Sequence, residues 1–177
     1  MQTIYDKNTL EFVTVTLEFC SWIEKIAEYD LFKFVDYGVK LLPLLYLKAT
    51  LLPETGELDE PDSEASQFIT EETYNIVRSR LIDLLGEYDS YLETFHPDIQ
   101  YSDSPVVAFI SENLADIYQD VGNFVALFRD SDEETMLLAL QQCSENFRLY
   151  WGQTSLNALK ALHAIRYNEN LNLESEE

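Results

Sequence analysis

Apolar residues recur along this chain at alternating steps of three and four, the spacing of one face of an α-helix. Between Asn8 and Ile26 the row Phe12, Val15, Phe19, Trp22 and Ile26 runs beside a second apolar row, Leu10, Val13, Leu17 and Cys20. Glu11, Thr14, Glu18, Ser21 and Lys25 leave one polar row, so this first helix should bury most of its circumference. Asn8 is its expected N-cap, with Glu11 in the capping-box position. A second helix is expected from about Asp30 to Leu52 on Phe32, Val35, Val39 and Leu42, with a kink or short break at Pro43, which lacks a backbone donor. Thr70 should cap a third, with stripe Tyr74, Val77, Leu81, Leu84 and Tyr88, weakening near Gly86 but extendable to Phe95.

The fourth helix has the longest unbroken rhythm: Val107, Ile110, Leu114, Ile117, Val121, Phe124 and Phe128. Ser104-Pro105 reads as its N-cap and first helical position. Ser131 and Glu134 suggest a capping box for a fifth helix with stripe Met136, Leu140, Cys143, Phe147 and Tyr150. Past Gly152 the stronger row is Ala158, Leu162 and Ile165, so the apolar face changes phase there. That predicts a kink or turn between helix five and a sixth helix ending near Tyr167. No strand of convincing length and no internal repeat appears. The expected fold is all-α, a single helical bundle of five to six helices over residues 1–167, with a long acidic loop at 53–69 and an acidic C-terminal tail at 168–177.

Composition narrows the partners. The 177 residues hold 33 acids against 11 lysines and arginines, net −22, yet 46% hydrophobic and 13% aromatic content argues for a folded core rather than disorder. The excess is local: residues 1–48 carry −2, 49–128 carry −15 and 129–177 carry −5. Such a chain offers no basic face for nucleic acid and none for anionic lipid. The longest apolar run, Leu41 to Leu47, is far short of the roughly 20 residues of a membrane helix. No secretion signal opens the chain, and Cys20 and Cys143 both fall on apolar stripes as buried thiols would. Together these suggest the cytoplasm, with oligomeric state left open.

The runs NTLEFVTVTLEFCSWIE, LLPLLYLKATLLP, RLIDLLGEYDSYLETF and FRLYWGQTSLNALKALHAI resemble a bacterial family known as domain of unknown function 5063. The resemblance runs from about Tyr5 to Tyr167. Its most distinctive pieces are Leu41–Pro43 with Tyr46–Lys48, and Trp151-Gly152-Gln153 followed by Asn157, Ala158, Leu159 and His163. It implies a small cytosolic protein and no catalytic residue, cofactor or ligand.

Two constellations could carry chemistry. Glu112, Asp116 and Asp120 stand one turn apart on the fourth helix, near Gln119 and Asn123. Asp83 and Glu87, followed by Asp89 and Glu93, mark the end of the third. If the two helices are antiparallel neighbours, these could form one acidic surface for a basic protein; the plain alternative is a solvated face that only confers solubility. Arg148, Trp151, Gln153, Asn157 and His163, with Lys160, surround the phase change at Gly152. They make either a hydrogen-bonded kink or an interhelical pocket for a small ligand, anchored by Arg148 and His163. Glu93-x-x-His96 is a single Glu-x-x-His pair, and Lys160 stands where His163 would need its glutamate, so a di-iron site is disfavoured and no metal is assigned. The expected function is a non-enzymatic interaction or regulatory module with an acidic face. The alternative is a small-ligand binder or enzyme built near Trp151 and His163.

Overall fold

The computed structural model describes residues 3–56, 66–93, 104–169 and 171. His96, the middle of the 53–69 loop and most of the 168–177 tail lie outside them. Among the described residues six α-helices form the bundle: α1 (Lys7–Glu24), α2 (Leu31–Thr50), α3 (Glu71–Leu85), α4 (Ile110–Asp130), α5 (Glu133–Asn146) and α6 (Gly152–Arg166). The central element is α4, which touches α1, α3, α5 and α6, while α2 closes the bundle against α1 and α6. Ile110, Leu114, Ile117 and Val121 on α4 have no accessible surface. They are four of the seven residues of the expected stripe. No helix among the described residues is long and apolar enough to cross a membrane.

Aromatic side chains dominate the core. Trp22 stacks on Phe34 with ring centroids 4.3 Å apart, which fastens α1 to α2. Gly38 allows this approach, because a Cβ there would lie 2.8 Å from the Trp22 ring. Phe12 links α1 to Phe124 of α4 and to Trp151.

Several local expectations are corrected. The short break expected at Pro43 is absent: the residue lies exposed inside an uninterrupted α2, whose packed neighbours on either side hold the turn that lacks the donor. The first helix begins at Lys7, capped by Asp6, whose carboxylate accepts from Asn8 N at 2.8 Å; Asn8 is not the cap. For α5 the cap is Asp132, accepting from Thr135 N, rather than Ser131. The largest correction is a β-hairpin, β1 (Ser90–Glu93) antiparallel to β2 (Val106–Phe109), with Ser90 opposite Phe109 and Glu93 opposite Val106. It replaces both the suggested extension of the third helix and the first turn expected of the fourth, so Ser104-Pro105 does not begin α4, which starts at Ile110.

The phase change at Gly152 has a defined cause. Helices α5 and α6 form one continuous helical run interrupted by a π-helical segment, Phe147–Trp151. Its wider turn inserts one extra residue, rotating the apolar face between the two helices without a loop.

Candidate functional site

The three carboxylates of α4 do not make one acidic face. Residues four apart on an α-helix are displaced by about 40° around its axis, so each rung turns further round the helix. Glu112 and Asp116 reach α3: Glu112 Oε1 lies 3.5 Å from Arg78 Nη2, and Asp116 Oδ1 accepts from the Tyr74 hydroxyl at 2.6 Å. Asp120 has turned to α5, where its Oδ1 accepts from Asn146 Nδ2 at 2.9 Å. Asp83 and Glu87 are exposed, and Asp83 sits about 140° round α3 from Arg78, on the side away from α4. The expected continuous surface is therefore divided into an inner set, half-buried Glu112 and exposed Asp116, that pairs with α3, and an outer set exposed on the far side of α3. Asp89 belongs to neither. It is buried beneath α4, with Oδ1 accepting from Ser111 N and Oδ2 from Ser111 Oγ, both at 2.7 Å.

Asp120 borders a cleft of about 140 Å³ between α4, α5 and the segment preceding α3. Asn123 builds its roof: Oδ1 accepts the backbone N–H groups of Phe68 and Ile69, each at 2.7 Å. Gln67, Gln119, Gln142 and Asn146 contribute carboxamides to the wall, and Phe124, Leu127 and Cys143 form an apolar floor. Burial raises the Asp120 carboxyl to about 6; the Asn146 hydrogen bond opposes the rise and the charge of Asp116 adds to it. Asp116 is also raised, by loss of water in the α3–α4 seam, against the opposing Tyr74 hydrogen bond and the Arg78 charge. Tyr74 itself is pushed up by burial and by donating to Asp116.

The sign of the Asp120 effect is testable. Above about pH 6 the carboxylate is ionised in both folded and unfolded chains, and the fold carries its desolvation cost. As pH falls from about 6 to about 4, the folded chain takes up the proton first and stability rises. A pKa moved from its ordinary 3.8 to about 6 gives an upper bound of about 3 kcal/mol, and partial access to water reduces the expectation to about 1–2. Asp120→Asn should raise stability at pH 7.5 by that amount and shrink the gain on acidification to pH 5. Urea denaturation at both pH values checks this, and a variant no more stable than the parent at pH 7.5 refutes it.

The second constellation is not assembled as a pocket. Trp151 is 1% exposed, packed against Phe147 and Phe12, and its Nε1 donates to the Cys143 carbonyl at 3.0 Å. Gln153 Nε2 donates to Asn157 Oδ1 at 3.0 Å, and Asn157 Nδ2 donates to Glu93 Oε1 at 2.9 Å, which ties the hairpin to α6. Arg148 is exposed on the π segment beside Leu149 and Tyr150. His163 is exposed on α6, its ring 4.7 Å from that of Tyr167, in an open groove shared with Lys40 and Pro43 of α2. Trp151 and His163 do not border a common cleft among the described residues: Gln153 and Asn157 form a hydrogen-bonded network, and His163 lines the open groove by itself among the five residues of this set.

Gln142 and Asn146 were not singled out by sequence reasoning, although the signal was present. They stand four apart on α5, beside the buried row Ala139, Leu140 and Cys143, where polar side chains must border the interface. Both thiols are buried. Cys20 is raised to about 12 by burial and by Glu24, and burial also raises Cys143, so neither supplies a thiolate near neutral pH. Among the described residues no group of three or more His, Cys, Asp or Glu could hold a metal ion. Glu93 lies on a strand and is engaged by Asn157.

No curated protein matches the chain. A crystal structure of protein BF1032 from Bacteroides fragilis is similar at 41% sequence identity, covering 94% of this chain and 97% of that one with a TM-score of 0.82. The family model described as Domain of unknown function (DUF5063) matches residues 3–168, nearly the whole chain and all of the stretch from Tyr5 to Tyr167 that resembles it. The chain therefore belongs to the DUF5063 family.

Proposed function

We propose that this protein is a non-enzymatic interaction module of a bacterial cytoplasm that takes a basic partner on the outer side of α3. One observation carries the reading. Glu72, Asp83 and Glu87 are exposed on the side of α3 away from α4 and on the turn after it, while Arg78 faces Glu112, so Arg80 is the one base left to the outer side of that helix. Exposed Ile76 and Ile82 stand among these charges and supply apolar surface for a contact. Charge of one sign around apolar residues steers an oppositely charged partner and fixes its register. The buried thiols suit a reducing compartment.

The division of the acids into inner and outer sets gives the test its contrast. Retention of a bound partner should fall at least about tenfold when Glu72, Asp83 and Glu87 become Gln or Asn, and should fall steeply between about 50 and 300 mM salt. Replacing the paired Glu112 and Asp116 in the same way should change it little. Affinity capture with the three proteins at both salt concentrations decides the matter. Equal retention by the outer-set variant and its parent would remove the proposal.

A further inference from the structure

We propose that the cleft at Asp120 is a binding site for a small protonated amine. The carboxylate stands at the edge of a chamber of about 140 Å³, opposed by the neutral carboxamide of Asn146 rather than by a cation. A partly desolvated anion held against a neutral donor has unused capacity for a positive charge. Around it, Gln67 and Gln119 line the cleft with carboxamides, whose oxygens are of the kind that accept the remaining ammonium protons. The floor of Phe124 and Leu127 gives a short aliphatic chain an apolar seat.

Other ligand classes fit less well. An anion would meet Asp120 and, one turn away, Asp116. A calcium ion takes six to eight oxygens, mostly from several carboxylates, and the cleft offers one. A purely apolar ligand would displace water from the carboxylate and the carboxamides without replacing the hydrogen bonds that water makes to them. The chamber is also built, since three separate segments wall it and Asn123 fixes the roof with two short hydrogen bonds. A ligand would find it largely preorganised.

The probe is n-propylammonium chloride, titrated into the full-length protein at pH 7.5 and constant ionic strength, followed by amide resonances in two-dimensional NMR. Saturable shifts are expected at 66–69, 119–124 and 142–146, with a Kd of about 1–10 mM, the range open to so small a ligand. Asp120→Asn, checked for a dispersed spectrum, should weaken binding at least about tenfold. Propionamide, of similar size and uncharged, should give no saturation with the parent protein. That comparison decides alone if the variant does not fold. Non-saturating drift with propylammonium, equal saturation by propionamide, or undiminished binding by a folded Asp120→Asn each overturns the proposal.

Discussion

Gly152→Ala should destabilise the protein by about 3 kcal/mol, although glycine to alanine inside a helix ordinarily stabilises by about 1 kcal/mol. The reversal follows from the π turn. The Gly152 N–H closes that turn by donating to the Phe147 carbonyl five residues back. A Cβ on Gly152 would then lie 2.5 Å from the same oxygen and 2.9 Å from the Phe147 ring. A backbone oxygen cannot swing aside as a flexible side-chain end can. Phe147 is itself held between Tyr46, 5.1 Å away, and Trp151, 4.6 Å away. Either the wide turn must unwind or the aromatic contacts must open. For a domain of this size the loss corresponds to a fall in Tm of about 6–12 °C. Thermal and urea unfolding measure it, and a variant as stable as the parent would mean that the π turn relaxes at no cost.

Asp89→Ala should also cost about 3 kcal/mol, by a different route. Helix α4 has Phe109 at its N-cap position, a residue with no side-chain acceptor. Asp89 performs that role from another part of the chain: its carboxylate takes both Ser111 N–H and Ser111 Oγ–H, and its backbone carbonyl takes the Ile110 N–H at 2.9 Å. Ser111 is 1% exposed, so alanine at 89 would leave two donors buried without partners, and the negative charge facing the helix N-terminus would be gone. Asp89→Asn keeps acceptors without full charge and should recover about half the loss. Hydrogen exchange in the first turn of α4 should accelerate together with the fall in urea midpoint. A change below about 1 kcal/mol in Asp89→Ala would show that water replaces the cap.

The same residue shows where sequence reasoning stopped. The apolar stripes located all six helices because burial of one face is a periodic, local property: Leu114, Ile117 and Val121 announce α4 regardless of what lies around it. Helix ends depend on which acceptor arrives. Ser104-Pro105 is a sound local start signal, yet pairing of Val106–Phe109 with Ser90–Glu93 and capping by Asp89 override it. A four-residue strand that alternates half-buried and exposed positions leaves too short a trace to separate from a helical row. At the cleft, Asp120, Gln119 and Asn123 were visible as polar residues of α4. That Asp120 would face Asn146 and not Asp116's partners required the angle between helices, and the carboxamides of α5 and the 66–69 segment come from chain distant in sequence. Asp83 and Glu87 stand out in the sequence, but their separation from the α4 set follows only from Tyr74 and Arg78 turning toward α4.

The run from Glu133 to Arg166 can also be considered in terms of length variation. Its surplus residue within Phe147–Trp151 acts as a fixed rotational offset for everything that follows. Deleting one residue there would restore an ordinary α-helix and turn α6 by about 100° relative to α5. Ala158, Leu162 and Ile165 would leave the core and Lys160 and His163 would be swept toward neighbouring surfaces. Relatives of this chain can thus vary in residue identity through this segment far more readily than in residue number, so its length is part of the fold's specification.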